Sequence, residues 1–137
     1  MSALLDTSFL FALADTSDRQ HTRVLEVART LRDALILPVP ALPEICYLLD
    51  SRLGHLAMRR FVNELSIGDV QLDPIAKEDL QRIVEILTQY ADMRLDFVDA
   101  VIVTIAERRG ITKILTLDRR HFMAIRPRHC PYFEILP

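Results

Sequence analysis

This sequence predicts an α/β domain built on a mainly parallel sheet, and three observations carry the prediction. Short apolar runs alternate with longer amphipathic stretches along the whole chain. The runs stop abruptly, at Asp6, at Pro38 and at Asp118, as strands leaving a sheet do. One stretch, Asp96 to Arg109, is apolar almost all round, the pattern of a helix covered on every side. Strands alternating with helices call for right-handed crossovers and a parallel sheet flanked by helices.

In order, Ala3-Leu4-Leu5 reads as the first strand and Thr7 to Ala14 as a short helix. A second helix is expected from about Arg19 to Leu31, where Val24, Leu25, Ala28 and Leu31 recur at helical spacing. Leu35-Ile36-Leu37 is the second strand. Pro43 then sits in the first turn of a helix running to about Leu53, where a missing N–H costs nothing. A helix from about His55 to Leu65 stops at Gly68, and Val70-Gln71-Leu72 forms a short strand. Lys77 to Tyr90 is amphipathic, with Leu80, Ile83, Val84 and Leu87 expected inward. The apolar helix Asp96 to Arg109 ends at Gly110, and Lys113 to Leu117 and Phe133 to Leu136 complete the strands.

The chain has 137 residues, 50% hydrophobic and 26% charged, with a formal charge of −2. A single domain over residues 1–137 is expected, since a chain of this length buries roughly two-thirds of its unfolded surface. Disorder and collagen-like repeats are excluded by the aliphatic content and by three glycines. No apolar run approaches the roughly 18 residues of a membrane span, and the start lacks a basic secretion-signal region. Cys46 and Cys130 stand far apart without a CxxC, which fits a reducing cytoplasm, and Cys46 reads as core. The slight negative charge argues against a general nucleic-acid binder, although Arg119, Arg120, Arg126 and Arg128 face only Glu134 near the end.

The acids carry the chemistry. Asp6 follows the first strand, and Asp118 follows the strand that precedes it. Glu44 lies in the first turn of the helix after the second strand; Asp99 opens the buried helix, with Asp96 three residues before it. In a parallel sheet, strand C-termini and helix N-termini share one edge, where ligands bind. Taken singly, Asp6, Asp96 and Asp118 read as N-caps, and Glu44 and Asp99 as residues favoured by the helix dipole. Taken together they are costly, because two charges ~4 Å apart repel by about 4 kcal/mol at an effective dielectric near 20. A hard divalent cation, Mg²⁺ or Mn²⁺, removes that cost. Zinc is disfavoured, because His21, His55, His121 and His129 show no HxxH or CxxC partnering and read as surface or polar-packing residues. There is no GxSxG, GxGxxG or P-loop.

The residues resemble a known family. LLDTSFLFAL is similar to the first motif of PIN domains, specifically those of VapC-like ribonuclease toxins from type II toxin–antitoxin pairs, with Asp6 as its acid. ALPEICYLL matches the segment that carries the family's Glu, here Glu44; DFVDAVIVTIAERRG resembles the third motif, with Asp99 as metal ligand. TLDRRHF resembles the fourth, with Thr116 as its small polar residue and Asp118 as its acid. The resemblance spans the whole chain. It implies a Mg²⁺- or Mn²⁺-dependent endoribonuclease that cuts RNA with a metal-activated water, leaving 5′-phosphate and 3′-hydroxyl ends. Asp6 and Asp99 are then the core metal ligands, Glu44 and Asp118 complete the site or hold metal-bound waters, and Thr7 and Thr116 stand behind them; Asp96 is an added acid that reads first as the helix cap and next as a residue orienting a ligand. Arg119, Arg120, Arg126 and Arg128 become the RNA track. The partners implied are a cognate antitoxin and a second copy of the chain, in the cytoplasm.

Three rivals are weaker. A receiver domain wants adjacent acids after its first strand and a late lysine; here Asp6 precedes Thr7, and Arg119 follows Asp118. A phosphatase wants DxDx[TV], which Asp6-Thr7-Ser8 lacks. A catalytically silent PIN-like module that binds RNA or protein has no need of all four acids.

Overall fold

Five short strands hydrogen-bond into one all-parallel sheet in the order β3-β2-β1-β4-β5, in a computed structural model that describes residues 1–137. They are β1 (Ser2–Leu5), β2 (Ala34–Pro38), β3 (Gln71–Asp73), β4 (Lys113–Leu115) and β5 (Glu134–Leu136). Seven helices connect them: α1 (Thr7–Ala14), α2 (His21–Thr30), α3 (Ala41–Leu53), α4 (His55–Ile67), α5 (Asp79–Gln89), α6 (Phe97–Arg109) and α7 (Arg119–Ala124). The chain builds outward from β1 through β2 to β3, then crosses back to place β4 on the other side of β1. That order creates a switch point between β1 and β4, and crevices for ligands form at the C-terminal ends of strands there.

The strands are short and wholly apolar inside because both faces are covered. Leu4, Ile36 and Ile114 are fully buried at paired positions of adjacent strands. Helix α6 is buried over nine consecutive residues, Val98 to Ala106, which accounts for its apolar surround. It packs against β2 and against α5. Gly110 ends it in the left-handed conformation (φ 67°), from which Gly110 and Ile111 both donate to the Ala106 carbonyl. Gly110→Ala is expected to lower the denaturant midpoint by about 1 kcal/mol of stability, since Cβ disfavours this backbone although nothing crowds it.

Three expectations change. On α5 the inward residues are Ile83 and Ile86, with Leu87 half-buried, while Leu80 and Val84 face outward. With Ile83 and Ile86 in the core, Arg82 on the flank of the same face donates twice to Glu107 on α6 (2.7 and 2.9 Å). The β4 strand stops at Leu115 rather than Leu117: Thr116 N–H still donates to the Leu136 carbonyl of β5 (2.9 Å), and then the Leu117 N–H turns to the site, donating to Ser8 Oγ at 3.0 Å. Cys46 is only half-buried on α3, one position beyond the core residue Ile45. No helix is long and apolar enough to cross a membrane.

Candidate functional site

Asp6 leaves β1 and caps α1. Its Oδ1 accepts the Thr7 N–H (2.8 Å), while Oδ2 accepts the Thr116 hydroxyl (2.7 Å) and the Ser8 hydroxyl (3.1 Å). Thr116 Oγ1 in turn accepts the Asp118 N–H at 2.9 Å, so one hydroxyl ties the end of β1 to the turn after β4. The Asp6 backbone N–H, donating to the Leu115 carbonyl, fastens the same two segments. Burial pushes the Asp6 carboxyl above its ordinary range; the Thr116, Thr7 and Ser8 donors pull it down, and the Asp96 charge raises it further.

Asp99 is placed by α6. Asp96 is the N-cap, accepting the Asp99 N–H at 2.9 Å, and that bond fixes the first turn. The Asp99 side chain is only 7% exposed, and no protein group donates a well-formed hydrogen bond to its carboxylate. Its pKa is pushed up to about 8, by burial first and then by the charges of Asp96, Asp6 and Asp118. Asp118, the more open acid at 37% exposure, caps α7 by accepting the His121 N–H.

The acids converge. Asp6, Glu44, Asp96, Asp99 and Asp118 all line one open hollow of about 350 Å³ at the C-terminal edge of the sheet, with Thr7 beside them. Glu44 stands exposed, one face of α3 carrying it together with Leu48 and Arg52 at spacings of four. His121 completes the arrangement from α7. Its Nδ1 is shielded from solvent and makes no hydrogen bond of acceptable angle, although Asp118 Oδ2 lies 2.8 Å away and Asp99 Oδ2 3.5 Å. One donor atom from each of Asp99, Asp118 and His121 falls within 4.8 Å of the others. An acidic cluster short of hydrogen-bond donors, with an unpartnered imidazole nitrogen, has the donor set of a divalent-cation site.

The PIN-domain family model matches residues 3–126. The chain belongs to the PIN-domain family. Over 134 residues it is 34% identical to Ribonuclease VapC26 of Mycobacterium tuberculosis, which covers 98% of this chain and 99% of that protein. Among solved structures it resembles M. tuberculosis VapC20, a Sarcin-Ricin loop cleaving toxin (TM-score 0.79, 22% identity, 85% of this chain and 89% of that one). Rickettsia felis VapBC2, bound to a DNA fragment from its promoter, matches over all of both chains at 13% identity and TM-score 0.71. A toxin–antitoxin complex from Klebsiella pneumoniae gives TM-score 0.69 at 20% identity, covering 96% and 99%.

In this PIN domain the basic run near the C-terminus does not gather at the hollow. Arg119 is turned away, donating to the Ile135 and Pro137 carbonyls (3.2 and 2.7 Å). Arg126 closes the end of α7 through the Met123 carbonyl (2.8 Å), and Arg128 pairs with Glu85 on α5 (2.8 Å). Arg120 alone stays close, lining a neighbouring hollow with Arg94 and His121. The reason is tertiary: carbonyls at chain and helix ends and a carboxylate on α5 satisfy three of the four guanidinium groups. Two charged residues of the hollow, Asp18 and Arg52, went unread in the sequence, and so did His121, which stands against Asp99 and Asp118. For His121 a signal existed, the Asp-x-x-His spacing from Asp118 that puts both side chains on one turn of a helix. The remaining histidines are packing residues where contacts define them, His21 against the Ala12 carbonyl and His129 against that of Ile111.

Proposed function

We propose that this PIN-domain chain is an endoribonuclease toxin of the VapC kind, which hydrolyses RNA phosphodiester bonds with Mg²⁺ or Mn²⁺ and is silenced by an antitoxin. What carries the reading is Asp99: a buried carboxylate, surrounded by three other acids and without a hydrogen-bond donor, is stable at neutral pH only with a cation beside it. The toxin–antitoxin complexes among the structural relatives support an antitoxin partner. An apolar pair on α5, Leu80 and Val84, exposed four residues apart, supports a homodimer. Free Cys46 and Cys130 support a cytoplasmic setting.

Asp6 and Asp99 would hold the ion, with Asp118 and Glu44 orienting its waters and His121 fixing the Asp118 carboxylate. A bound Mg²⁺ or Mn²⁺ supplies a water acidic enough to attack phosphorus and a counter-charge for the leaving oxygen. Thr116 and Ser8 occupy Asp6 Oδ2 and so fix the direction in which the carboxylate faces. Burial and the charges of Asp96, Asp6 and Asp118 favour the protonated form of Asp99, which a cation held there would reverse. Arg120 is the member of the basic run placed to meet the RNA backbone next to the acids.

The test is incubation of the purified chain with structured RNAs in Mn²⁺ and in EDTA. Metal-dependent fragments with 5′-phosphate ends are expected; RNA left intact in Mn²⁺ would leave only a binding module. Thr116→Val, which removes the hydroxyl from Asp6 at nearly constant shape, is expected to weaken Mn²⁺ binding about 10–100-fold in titration calorimetry.

A further inference from the structure

We infer that Arg52, held over the Phe11 ring in the wall of the acid-lined hollow, grips a backbone phosphate of the RNA next to the scissile one. The inference rests on the ribonuclease reading above and names a binding residue for it.

All the other charged side chains lining this hollow are acidic, and Arg52 is its one cation. A guanidinium among so many carboxylates ordinarily pairs with one of them. Arg52 does not, although six acids line the same hollow: none of them comes within ion-pair distance of its guanidinium. What positions it is an aromatic face. The guanidinium carbon lies 5.5 Å from the centroid of the Phe11 ring, and both residues line the hollow. This cation–π contact holds the group while leaving its N–H edge free to donate.

Helical spacing and the packing of α3 on α1 together account for the placement. Glu44, Leu48 and Arg52 recur every four residues and so share one face of α3, and Phe11 lies five residues beyond the cap Asp6 on α1. The helices that carry Glu44 and Asp6 therefore also carry the cation and the ring beneath it. A polyanionic strand entering a hollow of acids is repelled at every phosphate except the one that meets the metal. A planar fork of donors beside those acids offers a neighbouring phosphate a bidentate partner, the geometry for which guanidinium is suited. The strand is then held at a phosphate beside the bond to be cut, which adds affinity without touching the reacting atoms.

The experiment separates this contact from the nuclease reading. In EDTA and in the Asp99→Asn background, where cleavage is expected to be suppressed, binding of a fluorescein-labelled single-stranded RNA dodecamer is followed by anisotropy across a salt series. Adding Arg52→Ala is expected to make the slope of log K against log salt shallower by about 0.7, the loss of one phosphate contact on a single strand. Arg52→Lys keeps the slope, because the charge remains, but recovers only part of the affinity, because the fork is lost. In otherwise wild-type protein, Arg52→Ala should raise KM for RNA and leave kcat within about threefold, a split that uniform loss of binding produces. An unchanged slope and KM in a folded Arg52→Ala protein overturns the inference, and a loss of antitoxin binding instead would assign Arg52 to a protein carboxylate. Should the wild type cut no RNA while the slope still falls, the nuclease reading fails and the phosphate contact stands. A parent without salt-dependent binding overturns both.

Discussion

Asp99→Asn is expected to reduce Mn²⁺-dependent RNA cleavage by at least about 10²–10³-fold, the several kcal/mol that a metal ion contributes to transition-state charge. The same substitution should make the metal-free protein more stable. Asparagine has the shape of aspartate and no charge, so it needs no proton to be buried beside Asp96, Asp6 and Asp118, and the cost of taking one up on folding at neutral pH vanishes. Against this stands the loss of an acid from the first turn of α6, where the helix dipole favours it by about 0.3–1 kcal/mol. Burial and three like charges outweigh that. A net gain of about 1 kcal/mol or more is expected, a rise of roughly 3–5 °C in the melting temperature in EDTA. The two readouts moving in opposite directions mark a charge kept for chemistry rather than for folding. Cleavage at the wild-type rate in Asp99→Asn would end the assignment of this residue.

The second expected result concerns pH. Asp6 and Asp99 both have carboxyls raised above their ordinary value, Asp99 to about 8. The folded state therefore holds protons there that the unfolded chain has released. Stability from these groups is fully present below about pH 4 and drains away as pH rises toward 8, at up to about 1.4 kcal/mol per pH unit for each proton. Glu107 runs the other way: its interactions with Arg82 and Arg128 outweigh burial and lower it, so its contribution is lost on acidification below the ordinary glutamate value. The window from about pH 5 to 8 thus belongs to the aspartates. In EDTA the melting temperature should fall across that window. Saturating Mg²⁺ should restore it, about 2.7 kcal/mol at a hundredfold excess over Kd, with the largest rise near pH 8, where the ion no longer competes with protons. An Mg²⁺-induced rise as large near pH 5 as near pH 8 would show that these carboxyls are not where the ion binds.

Much of this was legible before any coordinates. The apolar surround of Val98 to Ala106 shows the burial of α6, Gly110 shows its end, and Asp6 and Asp118, where the apolar runs break off, mark the sheet edge, although β4 itself ends at Leu115. The five acids were legible as a group because strand ends and helix starts share an edge in any parallel sheet. Helix α7 was not, since six residues are too short to show a period, and His121 went with it. Arg52 lies two turns beyond Glu44, and only the packing of α3 on α1 shows that both face the hollow. The partners of Arg119, Arg126 and Arg128 are carbonyls and a carboxylate distant in sequence or at chain ends, which composition alone cannot name. Likewise, Arg82 on α5 finds its partner, Glu107, on α6.

Asp6, Asp96 and Asp118 each begin a helix as well as facing the hollow. Asparagine and serine perform that first duty about as well as aspartate does. Asparagine is a single base away, so one substitution at Asp6 or Asp118 can take a charge out of the hollow while the helix cap survives. Inactive descendants of such a nuclease lie one mutation away and carry almost no folding penalty.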